Sequence, residues 1–160
     1  MAIQTTWARW PIQTTDHYLL TMATTQKIRY SDCDPQGIVF NGNYARYWDD
    51  ALTDWFEEAG LGGTDLGGAG VDVVAARIEM DFKASANLGD MVETRIEVEC
   101  FGNTSMTAAF TTARLSDGRV VTEGREVLVF VDPDDFTPTP VPDVVKERLG
   151  GNPGGEQPVE

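Results

Sequence analysis

One segment of the chain, residues 43–59, carries an amphipathic pattern long enough to dictate the architecture. Its apolar side chains recur at spacings of three and four, the stripe of an α-helix with one buried face. They are Tyr44, Tyr47, Trp48, Ala51, Leu52, Trp55, Phe56 and Ala59. Gly60 followed by Leu61 is a typical helix stop. An apolar stripe this wide must be buried against another element. Packing of the helix on a sheet explains its aromatic side chains better than stacking on a cofactor does.

Four segments with the alternating pattern of half-buried antiparallel strands follow this helix. They are residues 71–83, 91–100, 105–115 and 120–132. Turn sequences containing glycine join each of these strands to the next, so the four strands are expected to form a meander. A shorter strand-like segment, residues 26–30, precedes the helix. We therefore predict an α+β protein, a single antiparallel sheet of about five strands wrapped around one long central helix.

The length of 160 residues suits one domain. We assign that domain to residues 24–136. Residues 1–23 lack any period and are predicted to be an N-terminal extension, either a loose arm or a segment upstream of a native start at Met22. Residues 137–160 are predicted to be a C-terminal tail with a short helix near 141–149 and a disordered end, because the final residues offer little apolar surface.

The composition excludes several classes of function. A formal net charge of −14 opposes binding to nucleic acid or to an anionic membrane. No apolar run approaches the length of a membrane span, and no signal peptide is recognisable. The two cysteines, Cys33 and Cys100, are therefore expected to remain reduced in the cytoplasm, without a disulfide.

Cofactor and metal motifs are missing from the sequence. The only histidine is His17, so neither a zinc site nor a serine–histidine–aspartate triad can be assembled in the predicted domain. The glycine-rich segment 62–70 lacks the Gly-Lys-Ser/Thr of a phosphate loop and is read as a connection. Cys33 lies between two acids, with no histidine in the motif to activate its thiol, and is interpreted as structural.

The chemistry-bearing stretch directly precedes the helix. Pro35 fixes its own φ and restricts Asp34, so this carboxylate is expected to be held in a turn. The cluster at residues 41–43, Asn-Gly-Asn, is typical of a helix N-terminus, where free backbone N–H groups stabilise an oxyanion. A turn-capping role for Asp34 is the alternative to a catalytic one.

The motif Asp-Cys-Asp-Pro-x-Gly-Ile-Val-Phe, followed closely by Asn-Tyr and a helix, resembles the hydroxybenzoyl-CoA thioesterase branch of the hot-dog-fold acyl-CoA thioesterases. The resemblance covers residues 25–133. It implies hydrolysis of an acyl-CoA thioester without a cofactor other than the coenzyme A of the substrate. By this resemblance Asp34 is the catalytic carboxylate, either as nucleophile or as general base. The backbone N–H of Asn41 polarises the thioester carbonyl, and Asp32 has no chemical role.

The same resemblance places the substrate against two segments of the chain. The first lies in the motif and comprises Gly37, Ile38, Val39 and Phe40; the second lies between the second and third long strands and comprises Thr104 and Ser105. The chain departs from the family near each of these two segments. Many relatives carry a histidine at the position of Asn41. Some hold the coenzyme A phosphates with basic residues around 100–105, where this chain has none, so that Lys83, Arg114, Arg119 or Arg125 would have to serve.

The expected assembly is a homodimer, or a homotetramer, with the acyl cleft between subunits, because open sheet edges need pairing. Two other functions remain open at this stage. One is a hot-dog protein that binds acyl-CoA or another small ligand without catalysis. The other is a hydratase, which normally needs a histidine beside its acid.

Overall fold

The computed structural model describes residues 22–150, and these form one sheet with one long helix across it. The elements are β1 (Met22–Lys27), α1 (Gly42–Glu58), β2 (Asp72–Phe82), β3 (Met91–Phe101), β4 (Ser105–Arg114), β5 (Val120–Val131) and α2 (Asp143–Arg148). The strand order is β1-β3-β4-β5-β2, with every neighbouring pair antiparallel. The predicted α+β architecture, one antiparallel sheet of five strands with one long helix, is confirmed. The predicted meander of four strands is wrong, because β2 pairs with β5 at the edge of the sheet and not with β3.

Helix α1 is held against the sheet by its apolar stripe. Seven of its 17 residues are buried, and Trp48 stacks on Phe110 of β4 with ring centroids 4.7 Å apart. Gly124 of β5 lies directly beneath Trp48, where any Cβ would collide with the Glu79 backbone. The absence of a side chain at Gly124 thus lets helix and sheet approach closely, because a close-packed core leaves no room for an added methyl group.

The first strand lies earlier in the chain than predicted. It runs over Met22–Lys27, whereas residues 30–32 form a 3₁₀ turn. The reason is that the inner face of β1 is polar: Thr24 and Gln26 donate hydrogen bonds to Asp54 and Asp50 of α1. A hydrophobic alternation therefore does not mark this strand in the sequence.

The segment predicted to be a C-terminal tail contains α2. Three of the segment's apolar side chains are buried in the same hydrophobic core as Trp48 and Phe110: Val141, Val145 and Leu149. Arg148 donates a hydrogen bond to the Gly60 carbonyl oxygen at 2.6 Å. This part of the chain therefore closes the end of the core near the C-terminus of α1. Most of the predicted N-terminal extension, residues 1–21, and residues 151–160 lie outside the described residues.

Candidate active site

The loop that carries Asp34 is a small hairpin fixed by backbone hydrogen bonds. Cys33 pairs with Val39 as an antiparallel bridge, and the Asp34 N–H donates to the Ile38 carbonyl at 2.9 Å. The Gly37 N–H closes the turn on the Asp34 carbonyl at 3.0 Å. Gly37 has φ +79°, a conformation that favours glycine, so the residue is needed for the turn itself.

The Asp34 carboxylate is half-buried and only partly engaged. One oxygen, Oδ1, accepts the Gln36 N–H at 2.8 Å, which is the Asx turn expected of an Asp before Pro. The other oxygen has no hydrogen-bond partner among residues 22–150. Asp34 therefore combines the turn-capping role with a carboxylate oxygen left available for a substrate or a water molecule.

Asn41 stands at the entry to α1. It is the N-cap residue, and its side-chain oxygen accepts the Gly42 N–H at 2.8 Å. Within the described part of the chain, its own backbone N–H donates to no acceptor. A free N–H at the positive end of a 17-residue helix is suited to stabilising negative charge on a substrate oxygen.

Asp32 attaches this loop to α1. Its carboxylate is buried, and it accepts the Arg46 guanidinium at 2.6 Å and the Arg29 backbone N–H at 2.7 Å. Its carbonyl accepts the Phe40 N–H and the Asn43 side-chain amide, both at 2.9 Å. Asp32 is thus fully occupied in holding the loop beside the helix N-terminus, which leaves it no free oxygen for chemistry.

A second anchor fixes the other side of the loop. Val39 is buried in a small core cluster, and its N–H donates to the Ala86 carbonyl at 2.9 Å. The Tyr44 hydroxyl accepts the Ala86 N–H at 3.3 Å, and burial is the main cause that raises the pKa of this phenol. The loop therefore lies between α1 and the segment that joins β2 to β3.

The residues assigned to substrate binding are not all brought together within one chain. Ile38 bridges to Asn87, Val39 lies in the core, and Phe40 is exposed over Gly42. Thr104 and Ser105 lie at the other end of β4. At a rise of about 3.3 Å per strand residue, roughly 25 Å separates them from the Asp34 loop.

Most cations named as candidates for the coenzyme A phosphates are already paired. Lys83 contacts Asp81 and Glu123, Arg114 contacts Asp117, and Arg125 contacts Glu99. Within residues 22–150, the side chains of Lys27, Arg29 and Arg119 form no hydrogen bond or salt bridge, whereas Arg148 is bonded to the Gly60 carbonyl. Lys27 at the end of β1 pairs with Met91 at the start of β3. The Met91 carbonyl accepts the N–H of residue 115, which begins the turn that contains Arg119. All three cations are thus near the end of the sheet that carries the Asp34 loop.

Two classes of feature are not found in residues 22–150. No three His, Cys, Asp or Glu side chains are grouped so that they could hold a metal ion. None of the helices in this part of the chain combines the length and the apolar character that crossing a bilayer requires. Cys33 and Cys100 are both free thiols, and the Cys33 sulfur contacts the Arg29 carbonyl at 3.6 Å.

Sequence reasoning missed one buried acid. Glu126 of β5 is 5% exposed, and burial, reinforced by the nearby Asp49 carboxylate, raises its pKa to about 7. It lies on the face of the sheet that α1 covers. The sequence Gly-Arg-Glu-Val marks an ordinary strand, so only the pairing of β5 with its neighbours reveals which way this carboxyl points.

Comparison with solved structures defines the fold class. Slr0204, a 1,4-dihydroxy-2-naphthoyl-CoA thioesterase from Synechocystis, matches with a TM-score of 0.73 at 14% identity, over 81% of this chain and 95% of that one. A 4-hydroxybenzoyl-CoA thioesterase variant complexed with 4-hydroxybenzoyl-CoA matches with a TM-score of 0.71 at 21% identity, over 82% and 99% of the two chains. The chain therefore has the hot-dog fold of these thioesterases.

Sequence comparison identifies the family. The profile of the Thioesterase-like superfamily matches residues 28–149, and the chain belongs to this superfamily. The acyl-CoA thioester hydrolase YbgC of Escherichia coli O6:H1 is 24% identical over 141 residues, which cover 88% of this chain and 93% of that protein. The resemblance to hot-dog acyl-CoA thioesterases that the Asp-Pro motif indicated is thereby confirmed.

Proposed function

We propose that this protein is an acyl-CoA thioesterase that uses the Asp34 carboxylate and the Asn41 backbone N–H. One observation carries the proposal: a single hydrogen-bonded loop supplies both an Asp34 carboxylate oxygen and, at the start of α1, an Asn41 N–H that have no partner in residues 22–150. Membership in the Thioesterase-like superfamily supports it. A general acid–base residue and an oxyanion donor are the minimum that acyl transfer requires.

The roles follow from the charges that develop. The thioester carbonyl oxygen accepts the Asn41 N–H, which, with the α1 dipole, stabilises the tetrahedral oxyanion. In one route Asp34 attacks the carbonyl carbon, the C–S bond breaks to release coenzyme A thiolate, and water then hydrolyses the mixed anhydride. In the other, Asp34 takes a proton from the water that attacks. Both routes yield the free acid and coenzyme A, with no resident cofactor.

A dimer would complete the site. Strand β2 is an eleven-residue edge strand that exposes Ile78 and Phe82, and an unpaired edge of this length favours pairing with a second copy. Two β2 strands related by a twofold axis run antiparallel. This arrangement sets the Thr104 and Ser105 end of one subunit beside the Asp34 loop of its partner, which a single chain keeps apart. A tetramer would be built from such dimers.

Coenzyme A carries phosphates, which need cations on the protein that are not already paired with acids. The unpaired cations Lys27, Arg29 and Arg119 are the best available partners for coenzyme A phosphates, since the other candidates already neutralise acids. The free thiols fit a cytoplasmic enzyme. With a net charge of −14, neither nucleic acid nor an anionic membrane is a proposed partner.

The direct test is release of coenzyme A from a panel of aryl, short-chain and long-chain acyl-CoA thioesters, followed with a thiol reagent. We expect turnover of at least one class by wild-type protein. If ketone analogues of the same acyl-CoAs bind in calorimetry while no thioester is cleaved, the protein is instead a binding module with this fold.

A further inference from the structure

Glu126 occupies an unusual position for a carboxyl group. It lies on β5, with Ile78 of β2 and Ala108 of β4 as its neighbours across the sheet. These positions belong to the inner face, the same face on which Gly124 and Leu128 contact the core. Glu126 is 5% exposed and has no hydrogen-bond partner among the described residues.

Within residues 22–150, no positively charged group or hydrogen-bond donor compensates this acid. The group that faces it from α1 is Asp49, a second carboxylate, and the β2 and β4 neighbours are uncharged. Arg125 next to it in sequence belongs to the outer face and pairs with Glu99. A buried carboxyl without a partner destabilises a fold, so its presence indicates a use beyond packing.

An apolar strip links Glu126 to the candidate active site. Ile78, Met80 and Phe82 alternate along β2 on the inner face, and Ile78 and Phe82 are exposed. Phe82 contacts the ring of Tyr44, in the first turn of α1, with centroids 6.0 Å apart. The strip thus begins near the Asn41 N–H. It ends beside Asp49, eight residues along α1, a distance of about 12 Å at 1.5 Å per residue.

We propose that Glu126 is a specificity-determining residue that accepts a hydrogen bond from a donor group, hydroxyl or amino, at the far end of the acyl chain or ring. The inference rests on the proposed thioesterase function. With the thioester carbonyl at Asn41, the acyl group lies along the apolar strip, and its tip reaches Glu126. The donor group then supplies the hydrogen-bond partner that Glu126 lacks among residues 22–150.

The test uses pairs of acyl-CoA thioesters of equal length, aryl and alkyl, in which one member ends in a hydroxyl and the other in a methyl group. Wild-type protein should prefer the hydroxyl member of the best-fitting pair by at least about tenfold in kcat/KM. Glu126→Met, which keeps the side-chain length, should abolish that preference. Glu97→Met removes an exposed carboxylate from β3 and should leave it unchanged.

Two further readouts separate this inference from its alternatives. Ketone analogues of the same pairs, titrated by calorimetry, report the preference even if no thioester is cleaved, so failure of the thioesterase function is distinguishable. A purely structural Glu126 predicts a lower Tm for Glu126→Met, whereas the proposal predicts a higher one. Equal affinity of wild-type protein for both members of every pair, or a preference that survives Glu126→Met, would overturn the proposal.

Discussion

Two aspartates two residues apart in the sequence have opposite surroundings. Asp32 is buried and bonded through both carboxylate oxygens, whereas Asp34 is half-buried and one of its oxygens has no partner in residues 22–150. A reactive group needs an accessible lone pair, and a structural one needs all of its lone pairs satisfied. The family resemblance assigns the chemistry to Asp34 and none to Asp32, and these contacts agree with that proposed division of roles. They also make Asp32 unsuitable as a neutral control in mutagenesis.

Glu126 gives a pH-dependent signature at the scale of one residue. Its folded-state pKa is raised to about 7. Between the ordinary pKa of a glutamate and this value, the folded protein therefore keeps a proton that the unfolded chain has released. Stability is therefore highest at low pH and falls as pH rises through about 7, by up to about 3 kcal/mol for this group. Urea unfolding of wild type and Glu126→Gln across this range should show the fall only in wild type. Identical pH slopes would contradict the assignment.

At the scale of elements, the joint between the Asp34 loop and α1 depends on the ion pair of Asp32 and Arg46. Arg46→Met would leave a buried carboxylate unpaired, at a cost of about 2 kcal/mol in the free energy of unfolding. The loop should loosen, and kcat should fall with it. Denaturant melts and turnover rates measure both effects.

The chain provides a matched control for this substitution. Arg95 contacts Glu93 at the same distance, 2.6 Å, but the pair lies on the outer face of the sheet with Arg95 largely exposed. Exposed pairs contribute about 0.5 kcal/mol or less. Arg95→Met should therefore leave stability and turnover nearly unchanged, and an equal loss in both variants would show that burial of Asp32 is not the cause.

The elements were predictable from sequence where their pattern was hydrophobic. The α1 stripe and the alternation of β2 to β5 locate these elements to within one or two residues. The predicted position of β1 was wrong because Thr24 and Gln26 donate hydrogen bonds to acids of α1, so that the strand shows no hydrophobic alternation. The Asp34 turn was readable from proline and glycine chemistry. Glu126 was not, because its burial depends on strand register across the sheet, a long-range property that local sequence does not encode.

At the scale of the whole molecule, the exposed apolar side chains of residues 22–150 are spread over several surfaces, and two of these surfaces carry a pair of similar exposure. Ile78 and Phe82 follow the unpaired edge of β2, whereas Leu88 and Leu115 lie at the end of the sheet, in turns. Only the first region combines apolar surface with free backbone groups in a long strand. It is therefore the surface that should mediate dimer formation.

A pair of double variants tests this assignment. Ile78→Lys/Phe82→Lys should convert a dimer into a folded monomer, and sedimentation velocity is the deciding measurement. Turnover should be lost as well, because each site would lose both the residues supplied by the second copy and part of its own apolar strip. Leu88→Lys/Leu115→Lys introduces the same charges on side chains of similar exposure and should leave both assembly and turnover intact. A wild-type monomer with full turnover would refute a site shared between subunits.

The central claim is that the Asp34 carboxylate performs the chemistry, and kcat of Asp34→Asn tests it most directly. Asparagine keeps the side-chain size and the acceptor for the Gln36 N–H, so the turn should survive, but it can neither attack a carbonyl nor take a proton from water. Asp132→Asn is the matched control, since Asp132 also precedes a proline and accepts the N–H of Asp134 at 2.8 Å. We predict that Asp34→Asn loses at least about 10³-fold in kcat with an unchanged Tm, while Asp132→Asn retains wild-type kcat. Hydrolysis by Asp34→Asn at the wild-type rate would contradict the account.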